Sequence, residues 1–316
     1  MIPVARPAEA PPSIPVARPV LGEREEELVL EVLRSGQLSL GPMLPRFERA
    51  FADRLGVEHA SAVSSGTAGL HLALRPLGLE PGDEVITSPF SFVASANVAL
   101  YEGARPVFAD IDPVTLNLDP EAARAAVTER TKALLPVHIF GAPADVPAFE
   151  TFGLPIVEDA CEALGAVHED GTVVGTRGHP AVFAFYANKQ MTTGEGGMVT
   201  THSEEEWSLL KSLRNQGRAD GGGWLEHARL GYNYRIDDIR AALGIGQLEK
   251  LDTILELRAA AAARYGELLG DVEGLEVPLA DDAEHVRSWF VYVVTLARGT
   301  DRERVIAELE RQGIAT

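Results

Sequence analysis

A lysine between an aromatic run and a glycine-rich turn is well placed for covalent chemistry. Residues 183–197 read FAFYANKQMTTGEGG, and Lys189 follows the aromatic residues of this segment. A primary amine near packed, water-poor surface loses its charge more readily, and the neutral amine can attack an aldehyde to form a Schiff base. The segment also fits a plain surface lysine at a hairpin, and on its own it leaves both interpretations open.

An acidic pair follows a short apolar run. Glu158 and Asp159 come directly after residues 155–157, and the carboxyl end of a strand in an open α/β sheet faces the ligand crevice. A carboxylate there either caps the start of a loop or pairs with a cationic group of a ligand. We interpret the neighbouring Cys161 as a small buried residue rather than a nucleophile, because no basic partner is evident in the sequence.

Further segments are typical of phosphate recognition. Residues 63–69 (VSSGTAG) predict a strand, a Ser/Gly/Thr turn and a helix start, a geometry that turns free backbone N–H groups toward a phosphate. Residues 213–218 (LRNQGR) and 229–235 (RLGYNYR) bring arginines and asparagines into loops. Each has an ordinary alternative: a helix N-cap for the first segment, and solvated surface arginines for the others.

Charge and composition limit the partners. The 316 residues carry 28 Lys+Arg against 47 Asp+Glu, a formal net charge of −19 that disfavours nonspecific binding to nucleic acid or to an anionic membrane. Local amides and arginines can still hold an anionic small molecule. A single cysteine excludes a multi-cysteine metal site, and no metal site is predicted. We expect a cytoplasmic protein, since neither a long apolar span nor a signal-peptide core is present.

The elements that must position these residues alternate along the chain. Short apolar runs predict strands at residues 60–63, 84–87, 106–109, 133–137, 155–157, 181–186 and 197–201. Helical periodicity predicts helices at residues 23–33, 44–55, 67–76, 91–102, 120–128 and 145–151. This order predicts an α/β fold with a mostly parallel sheet between helices. Only a glycine-rich turn separates the last two strands, so we expect the sheet to be mixed.

The rest of the chain predicts a smaller second domain. Helices are expected at residues 237–248, 252–269 and 301–312, and a strand at residues 288–296. We therefore divide the chain into a proline-rich N-terminal arm (1–20), a large domain (21–250) and a C-terminal α+β domain (251–316). A lone strand cannot form a stable sheet, so we expect this last domain to be incomplete.

Taken in chain order, four motifs resemble one enzyme family. SSGTAGLHLAL, EDACEALGA, FYANKQMTTGEGGM and RLGYNYRIDDIRAALG together are similar to the pyridoxal-phosphate-dependent nucleotide-sugar aminotransferases of the DegT/StrS type, a branch of the fold type I enzymes. The resemblance runs from about residue 22 to residue 316. It implies a fold type I large domain, the cofactor pyridoxal 5′-phosphate and a homodimer with shared active sites.

The resemblance gives three residues roles at the cofactor ring. Lys189 matches the lysine that forms the internal aldimine and carries protons between the amino-acid α-carbon and C4′ of the cofactor. Asp159 matches the carboxylate that keeps the pyridine nitrogen protonated, and a positive ring nitrogen makes the cofactor an electron sink. Phe92 matches the aromatic residue that stacks on the ring.

Other positions match groups that bind phosphate. Gly66, Thr67 and Ala68 match the cradle for the cofactor phosphate. Asn233 matches an asparagine that reaches this phosphate from the neighbouring subunit. Arg235 is a candidate for binding the diphosphate of the substrate.

Two cofactor-binding positions depart from the family pattern. Glu162 stands where the family often has Gln or His, and it could contact the phenolic oxygen of the cofactor only if protonated or bridged. Ala184 stands where a serine is frequent, which removes one hydroxyl contact to the phosphate. Both departures affect contacts rather than the chemistry.

The resemblance predicts transamination of a keto sugar attached to a nucleoside diphosphate, with L-glutamate as amino donor and a product for surface polysaccharide or glycoside assembly. Lys189 favours transamination over the sugar dehydratases of the family, which carry histidine there. The form of residues 188–197 favours amination at C4 of a 4-keto-6-deoxyhexose over amination at C3. Two alternatives stay open: a regulatory protein that binds the cofactor, and a catalytically silent subunit that still dimerises.

Overall fold

Seven strands form the centre of the fold. The computed structural model describes residues 13–219, 221, 223, 225–281 and 286–316. The central strands are β1 (His59–Val63), β2 (Glu84–Thr87), β3 (Arg105–Phe108), β4 (Thr131–Leu134), β5 (Glu158–Asp159), β6 (Ala181–Ala184) and β7 (Gly197–Thr201). They form one sheet in the order β3-β2-β4 and another in the order β5-β6-β7-β1. Two parallel bridges, Leu134 to Ile156 and Val137 to Asp159, join the two sheets edge to edge.

The strand directions confirm the predicted mixed, mostly parallel sheet. The ladders β2–β3, β2–β4 and β5–β6 are parallel, whereas β7 runs antiparallel to both β6 and β1. Strands β2, β6 and β7 are buried almost throughout, as expected for strands covered on both faces. The carboxyl ends of β5 and β6 therefore lie at the same edge of the sheet.

Helices cover both faces of the sheet. They are α1 (Glu23–Ser35), α2 (Met43–Leu55), α3 (Gly66–Leu74), α4 (Ala94–Tyr101), α5 (Pro120–Ala126), α6 (Val146–Glu150), α7 (Glu204–Arg214) and α8 (Asp238–Glu249). Successive side chains of β6 enter different layers: Phe183 packs with residues of α1, α2 and α8, and Val182 packs with residues of α3 and α4. The sequence did not predict α7, which begins where Ser203 accepts a hydrogen bond from the Glu206 N–H.

Three predicted elements of the large domain differ from the structure by three residues at one end. The strand expected at 155–157 lies later, because the ladder with β6 pairs Glu158 and Asp159. The strand expected at 133–137 ends at Leu134, and Pro136 has no N–H for a ladder. The helix expected at 91–102 begins only at Ala94, which leaves the preceding residues in a loop.

The C-terminal part differs more from its prediction. It contains α9 (Leu251–Leu269), β8 (Leu275–Glu276), β9 (Thr295–Leu296) and α10 (Arg302–Arg311). The strand expected at residues 288–296 was largely wrong, because only its last part pairs, with the unpredicted β8. Its first residues bond elsewhere, since the Ser288 N–H donates to the Gly141 carbonyl at 3.1 Å.

The described part of the proline-rich arm reaches the C-terminal residues. The Ile14 N–H donates to the Gly313 carbonyl at 2.7 Å, and the Ala315 N–H donates to the Ile14 carbonyl at 2.9 Å. Residues 1–12, the rest of the predicted arm, lie outside the described residues. Across the described residues, no helix combines the length and apolar character needed to cross a membrane.

Candidate active site

A cavity of about 590 Å³ opens beyond the carboxyl ends of β5 and β6, beside the start of α3. Its volume is within the range of cofactor pockets, roughly 300–1,000 Å³. Its walls include most of the residues that the sequence predicted for the site: Gly66, Thr67, Phe92, Asp159, Glu162, Ala184 and Lys189. Three predicted residues, Ala68, Asn233 and Arg235, are not part of its wall.

Asp159 is held in place at the end of β5. The side chain is 5% exposed, and its Oδ2 accepts a 2.7 Å hydrogen bond from the Ser95 hydroxyl. Its Oδ1 accepts a 3.2 Å hydrogen bond from the Cys161 N–H. Because a carboxylate oxygen has more than one lone pair, both oxygens can still accept a bond from a ligand. Asp159 therefore presents a fixed negative charge to the cavity.

Lys189 carries the amine that the sequence singled out. Its side chain is only 13% exposed, so the alternative of a surface lysine was wrong. The Nζ atom lies 3.3 Å from Oε1 of Glu162 and 3.9 Å from the ring centre of Phe290. The Lys189 N–H donates to the Tyr186 carbonyl at 3.0 Å, which fixes the backbone in a turn. The amine is thus enclosed between a carboxylate and an aromatic ring.

Glu162 is itself tied to neighbouring segments. Its Oε2 accepts a 2.9 Å hydrogen bond from the Phe140 N–H, while its Oε1 faces Lys189. The Glu162 carbonyl accepts from the side-chain amide of Gln190 and from the Ser288 hydroxyl. In this arrangement the carboxylate contacts the amine directly.

The start of α3 offers backbone amides to the cavity. Ser65 is the N-cap, and its hydroxyl accepts the Ala68 N–H at 3.1 Å, so the N-cap interpretation is confirmed and the Ala68 N–H is occupied. The N–H groups of Gly66 and Thr67 belong to the first turn, which has no partners within its own helix. A Cβ on Gly66 would lie 2.8 Å from the Ala184 Cβ and 2.9 Å from the Cys161 sulfur. Only glycine fits this cradle.

Cys161 behaves as predicted. Burial, and next the charge of Asp159, raises the pKa of its thiol well above the usual value. Since the thiolate is the nucleophilic form, a raised pKa makes the thiol unreactive. Cys161 therefore acts as a small packing residue beside the cradle.

Asn233 and Arg235 lie on a segment outside the cavity wall. Asn233 is exposed and bridges to Asn215, whose Oδ1 accepts a 3.1 Å bond from Arg235 Nη1. Arg235 lines a separate cavity of about 210 Å³ whose wall also includes Arg214 and Arg218. Burial, and then the charge of Arg218, lowers the pKa of Arg235. This second cavity concentrates positive charge in an acidic protein.

A buried cluster that includes Glu158, the residue before Asp159, resembles a metal site in composition. Atoms of His138, Glu158 and His168 lie within 4.8 Å of one another. However, His138 Nδ1 accepts the Ala144 N–H at 2.9 Å, so its proton is on Nε2, which faces Glu158 at 2.9 Å. A metal would need that Nε2 unprotonated. The cluster is therefore interpreted as a hydrogen-bonded unit of the core.

Three residues that contribute to the site were missed by the sequence. Ser95 donates a hydrogen bond to Asp159, and the Phe290 ring covers the Lys189 amine. Arg258 donates hydrogen bonds to the backbone carbonyls of Lys189 and Trp289. Each acts on a residue distant in the chain, and no local spacing signals such contacts. Phe290 lies within residues 288–296, for which the sequence predicts a strand.

The residues that line the cavity are arranged to fit pyridoxal 5′-phosphate. An amine, a fixed carboxylate and a cradle that a Cβ would fill face one cavity. These are the groups needed to hold an aldehyde carbon, a ring nitrogen and a phosphate, respectively. Phe92, which is 73% exposed at the cavity, offers a ring for stacking.

The chain matches proteins of known class. The model of the DegT/DnrJ/EryC1/StrS aminotransferase family matches residues 19–316. The spore coat polysaccharide biosynthesis protein SpsC of Bacillus subtilis (strain 168) is 40% identical over 314 residues, which cover 94% of this chain and 80% of SpsC.

Solved structures agree with the family match. DesV of S. venezuelae, solved in complex with a ketimine intermediate, is 36% identical with a TM-score of 0.86, covering 92% of this chain and 77% of DesV. The sugar aminotransferase CalS13 of Micromonospora echinospora is 30% identical with a TM-score of 0.87, covering 96% of this chain and 85% of CalS13. The family match, the relative and the shared fold together show that this chain belongs to the DegT/DnrJ/EryC1/StrS aminotransferases and is a pyridoxal-phosphate-dependent sugar aminotransferase.

Proposed function

We propose that this enzyme transfers an amino group from L-glutamate to the keto group of a sugar linked to a nucleoside diphosphate. The acceptor we propose is a 4-keto-6-deoxyhexose, aminated at C4 in the cytoplasm for surface polysaccharide or glycoside assembly. The observation that carries the proposal is the enclosure of the Lys189 amine in the same cavity as the anchored Asp159 carboxylate. The names of SpsC and CalS13, which refer to polysaccharide biosynthesis and to a sugar substrate class, support the acceptor.

Lys189 and Asp159 share the chemical work. The cofactor, when bound, supplies an electron sink for the negative charge that develops at the α-carbon of the amino donor. Lys189 Nζ would move a proton between that α-carbon and C4′ of the cofactor. Asp159 accepts a hydrogen bond from the protonated ring nitrogen, and the donors to its two oxygens keep it aimed at that nitrogen.

The remaining cavity residues orient the cofactor. The first-turn amides of Gly66 and Thr67 bind its phosphate, with the positive end of the α3 dipole behind them. Ala184 makes the wall beside this cradle, and Phe92 would stack on the ring. Glu162, whose Oε1 faces Lys189, would contact the phenolic oxygen only if protonated or bridged.

We propose a homodimer in which each protomer completes the site of the other. Phe92 and Tyr186 line the cavity and are 73% and 51% exposed, and exposed apolar side chains at a cavity rim mark an interaction surface. The exposed Asn233 would reach the phosphate in the neighbouring protomer, and Arg235 would bind the diphosphate of its substrate. This arrangement accounts for the position of both residues outside the cavity of their own chain.

A half-reaction followed by product analysis tests the function. Protein loaded with pyridoxal 5′-phosphate is mixed with L-glutamate, and we expect conversion to the pyridoxamine form with release of 2-oxoglutarate. A panel of keto nucleotide sugars is then supplied, and the products are identified by mass spectrometry. Lys189→Ala should abolish both steps, whereas Lys132→Ala, at an exposed position of β4, should leave both unchanged. A wild-type protein that binds the cofactor but shows no half-reaction would be the silent or regulatory homologue.

A further inference from the structure

One guanidinium joins the segment of the cofactor lysine to a C-terminal segment. Arg258, on α9, donates through Nη2 to the carbonyl oxygens of Asn188 at 3.3 Å and Lys189 at 2.9 Å. Through Nη1 it donates to the carbonyl oxygens of Trp289 at 3.1 Å and Phe290 at 3.0 Å. Burial lowers the pKa of Arg258. The guanidinium is therefore satisfied by two backbone segments that are far apart in the chain.

The backbone that receives these bonds has an uncommon conformation. Trp289 has a φ of +47°, in the left-handed region that bulky residues rarely adopt. Such a conformation is strained and persists only where surrounding contacts enforce it. Those contacts are the bond from Arg258 to the Trp289 carbonyl, the 2.6 Å bond from Trp289 Nε1 to Asp281 and the bond from the Ser288 N–H to Gly141.

The consequence of this backbone path is the position of one ring. Phe290 follows Trp289 directly, is 9% exposed and lines the active-site cavity. Its ring centre lies 3.9 Å from the Nζ atom of Lys189. A ring at this distance restricts the amine and keeps water from one side of it, which favours the geometry for attack on a carbonyl carbon.

We propose that Arg258 is a positioning residue that holds the Phe290 ring over the Lys189 amine and so prepares the amine for covalent attachment of the cofactor. Arg258 acts through the backbone and does not itself line the cavity. A planar guanidinium suits this task because its donors point in fixed directions and can serve both segments at once. The proposal rests on the proposed role of Lys189 as the cofactor lysine.

Arg258→Met tests the proposal, with Arg264→Met as the matched control on the same helix. Within the described part of the chain Arg264 pairs with Glu267, and its side chain is 66% exposed. In the cofactor-free full-length protein, amide hydrogen exchange of residues 286–296 is followed by mass spectrometry. We expect faster exchange in Arg258→Met and unchanged exchange in Arg264→Met.

Loading the protein with cofactor provides a second measurement, which separates an effect on positioning the amine from an effect on binding the cofactor. Arg258→Met should slow attachment of pyridoxal 5′-phosphate to Lys189 by about tenfold or more. The affinity for pyridoxamine 5′-phosphate, which cannot attach, should stay within about twofold, because the phosphate cradle and Asp159 are untouched. Arg258→Lys should recover part of the rate, since an ammonium keeps the charge but not the planar fork.

A double variant shows whether Arg258 acts through the ring. Phe290→Leu alone should slow attachment, and Arg258→Met combined with Phe290→Leu should be no slower than the worse single variant. Additive effects, or a wild-type rate in Arg258→Met or in Phe290→Leu, would overturn the proposal. If Arg258→Met does not fold, a wild-type rate of attachment in Phe290→Leu would still overturn the proposal. A wild-type protein with no attachment at Lys189 would instead overturn the proposed function on which this inference rests.

Discussion

The hydroxyl of Ser95 donates a 2.7 Å hydrogen bond to Oδ2 of Asp159 and so joins helix α4 to the end of strand β5. Both side chains are buried, at 1% and 5% exposure. A hydrogen bond to a charged group contributes about 1.5–3 kcal/mol. The aim of the carboxylate at the cofactor ring therefore depends on a helix that carries no cofactor-binding motif of its own.

Ser95→Ala should slow the glutamate half-reaction by about ten- to a hundredfold, because Asp159 loses the donor that orients it. Stopped-flow absorbance of the bound cofactor measures this rate. Ser35→Ala, at the end of α1, is the control and should react at the wild-type rate. If Ser95→Ala also reacts at the wild-type rate, the serine does not position the carboxylate.

Gly66→Ala should weaken cofactor binding by tenfold or more. The new Cβ would lie within 3 Å of Ala184 and Cys161, so either the start of α3 or the opposite wall must move. Gly266→Ala is the matched control, since among the residues that the structure describes its Cβ would meet just the Tyr292 hydroxyl, at 3.7 Å. This control should bind normally and be slightly more stable, as alanine favours a helix. Equal cofactor affinity in the two variants would contradict the assignment of the cradle.

The buried His168 should make the protein less stable in mild acid. Burial, the largest cause, lowers the pKa of His168 from 6.5 to about 4. Glu158 and Asp170 oppose this shift, whereas Arg177 adds to it. Between these values the unfolded chain binds a proton that the folded chain does not, so the free energy of unfolding falls as the pH drops from 6.5 to 4. The loss is about 3 kcal/mol.

Urea unfolding at pH 7.5 and at pH 4.5 measures this loss. His168→Gln should show a smaller difference between the two pH values than the wild type. His227→Gln, at an exposed position, should keep the wild-type difference. A His168→Gln profile parallel to the wild type would show that other groups cause the acid sensitivity.

Mixing two inactive variants tests the shared active site. Lys189→Ala and Asn233→Ala should each be inactive or nearly so as homodimers. If Asn233 serves the neighbouring protomer, a mixed dimer keeps one intact site, and an equal mixture should recover about a quarter of the wild-type activity. Activity is measured after the subunits have been unfolded and refolded together. No recovery, with mixed dimers present by native mass spectrometry, would place Asn233 in the site of its own protomer.

The sequence predicted the parts of the site that lie within short motifs. Asp159 and Lys189 were found because each comes shortly after a predicted strand, which indicates a place near the edge of the sheet, although Asp159 is in fact the last residue of β5. Phe92 lines the cavity as expected, but from a loop, whereas the sequence predicted a helix over residues 91–102.

Contacts between distant segments could not be predicted in this way. Residues 288–296 have the pattern of a strand, but the carbonyls of Trp289 and Phe290 are bound by Arg258 instead of by a neighbouring strand. The side chain that imposes this path stands in an alanine-rich helix, where it has the pattern of a surface arginine. Tertiary contacts thus override local propensity at the residues that shape the site.

The most direct test of the account is to find where the cofactor attaches. Full-length protein is incubated with pyridoxal 5′-phosphate, reduced with borohydride, digested and analysed by mass spectrometry. The account predicts a single major modification, on Lys189, that is absent from Lys189→Ala and retained in Lys132→Ala. Modification of another lysine with Lys189 unmodified, or no covalent product in the wild type, would contradict it.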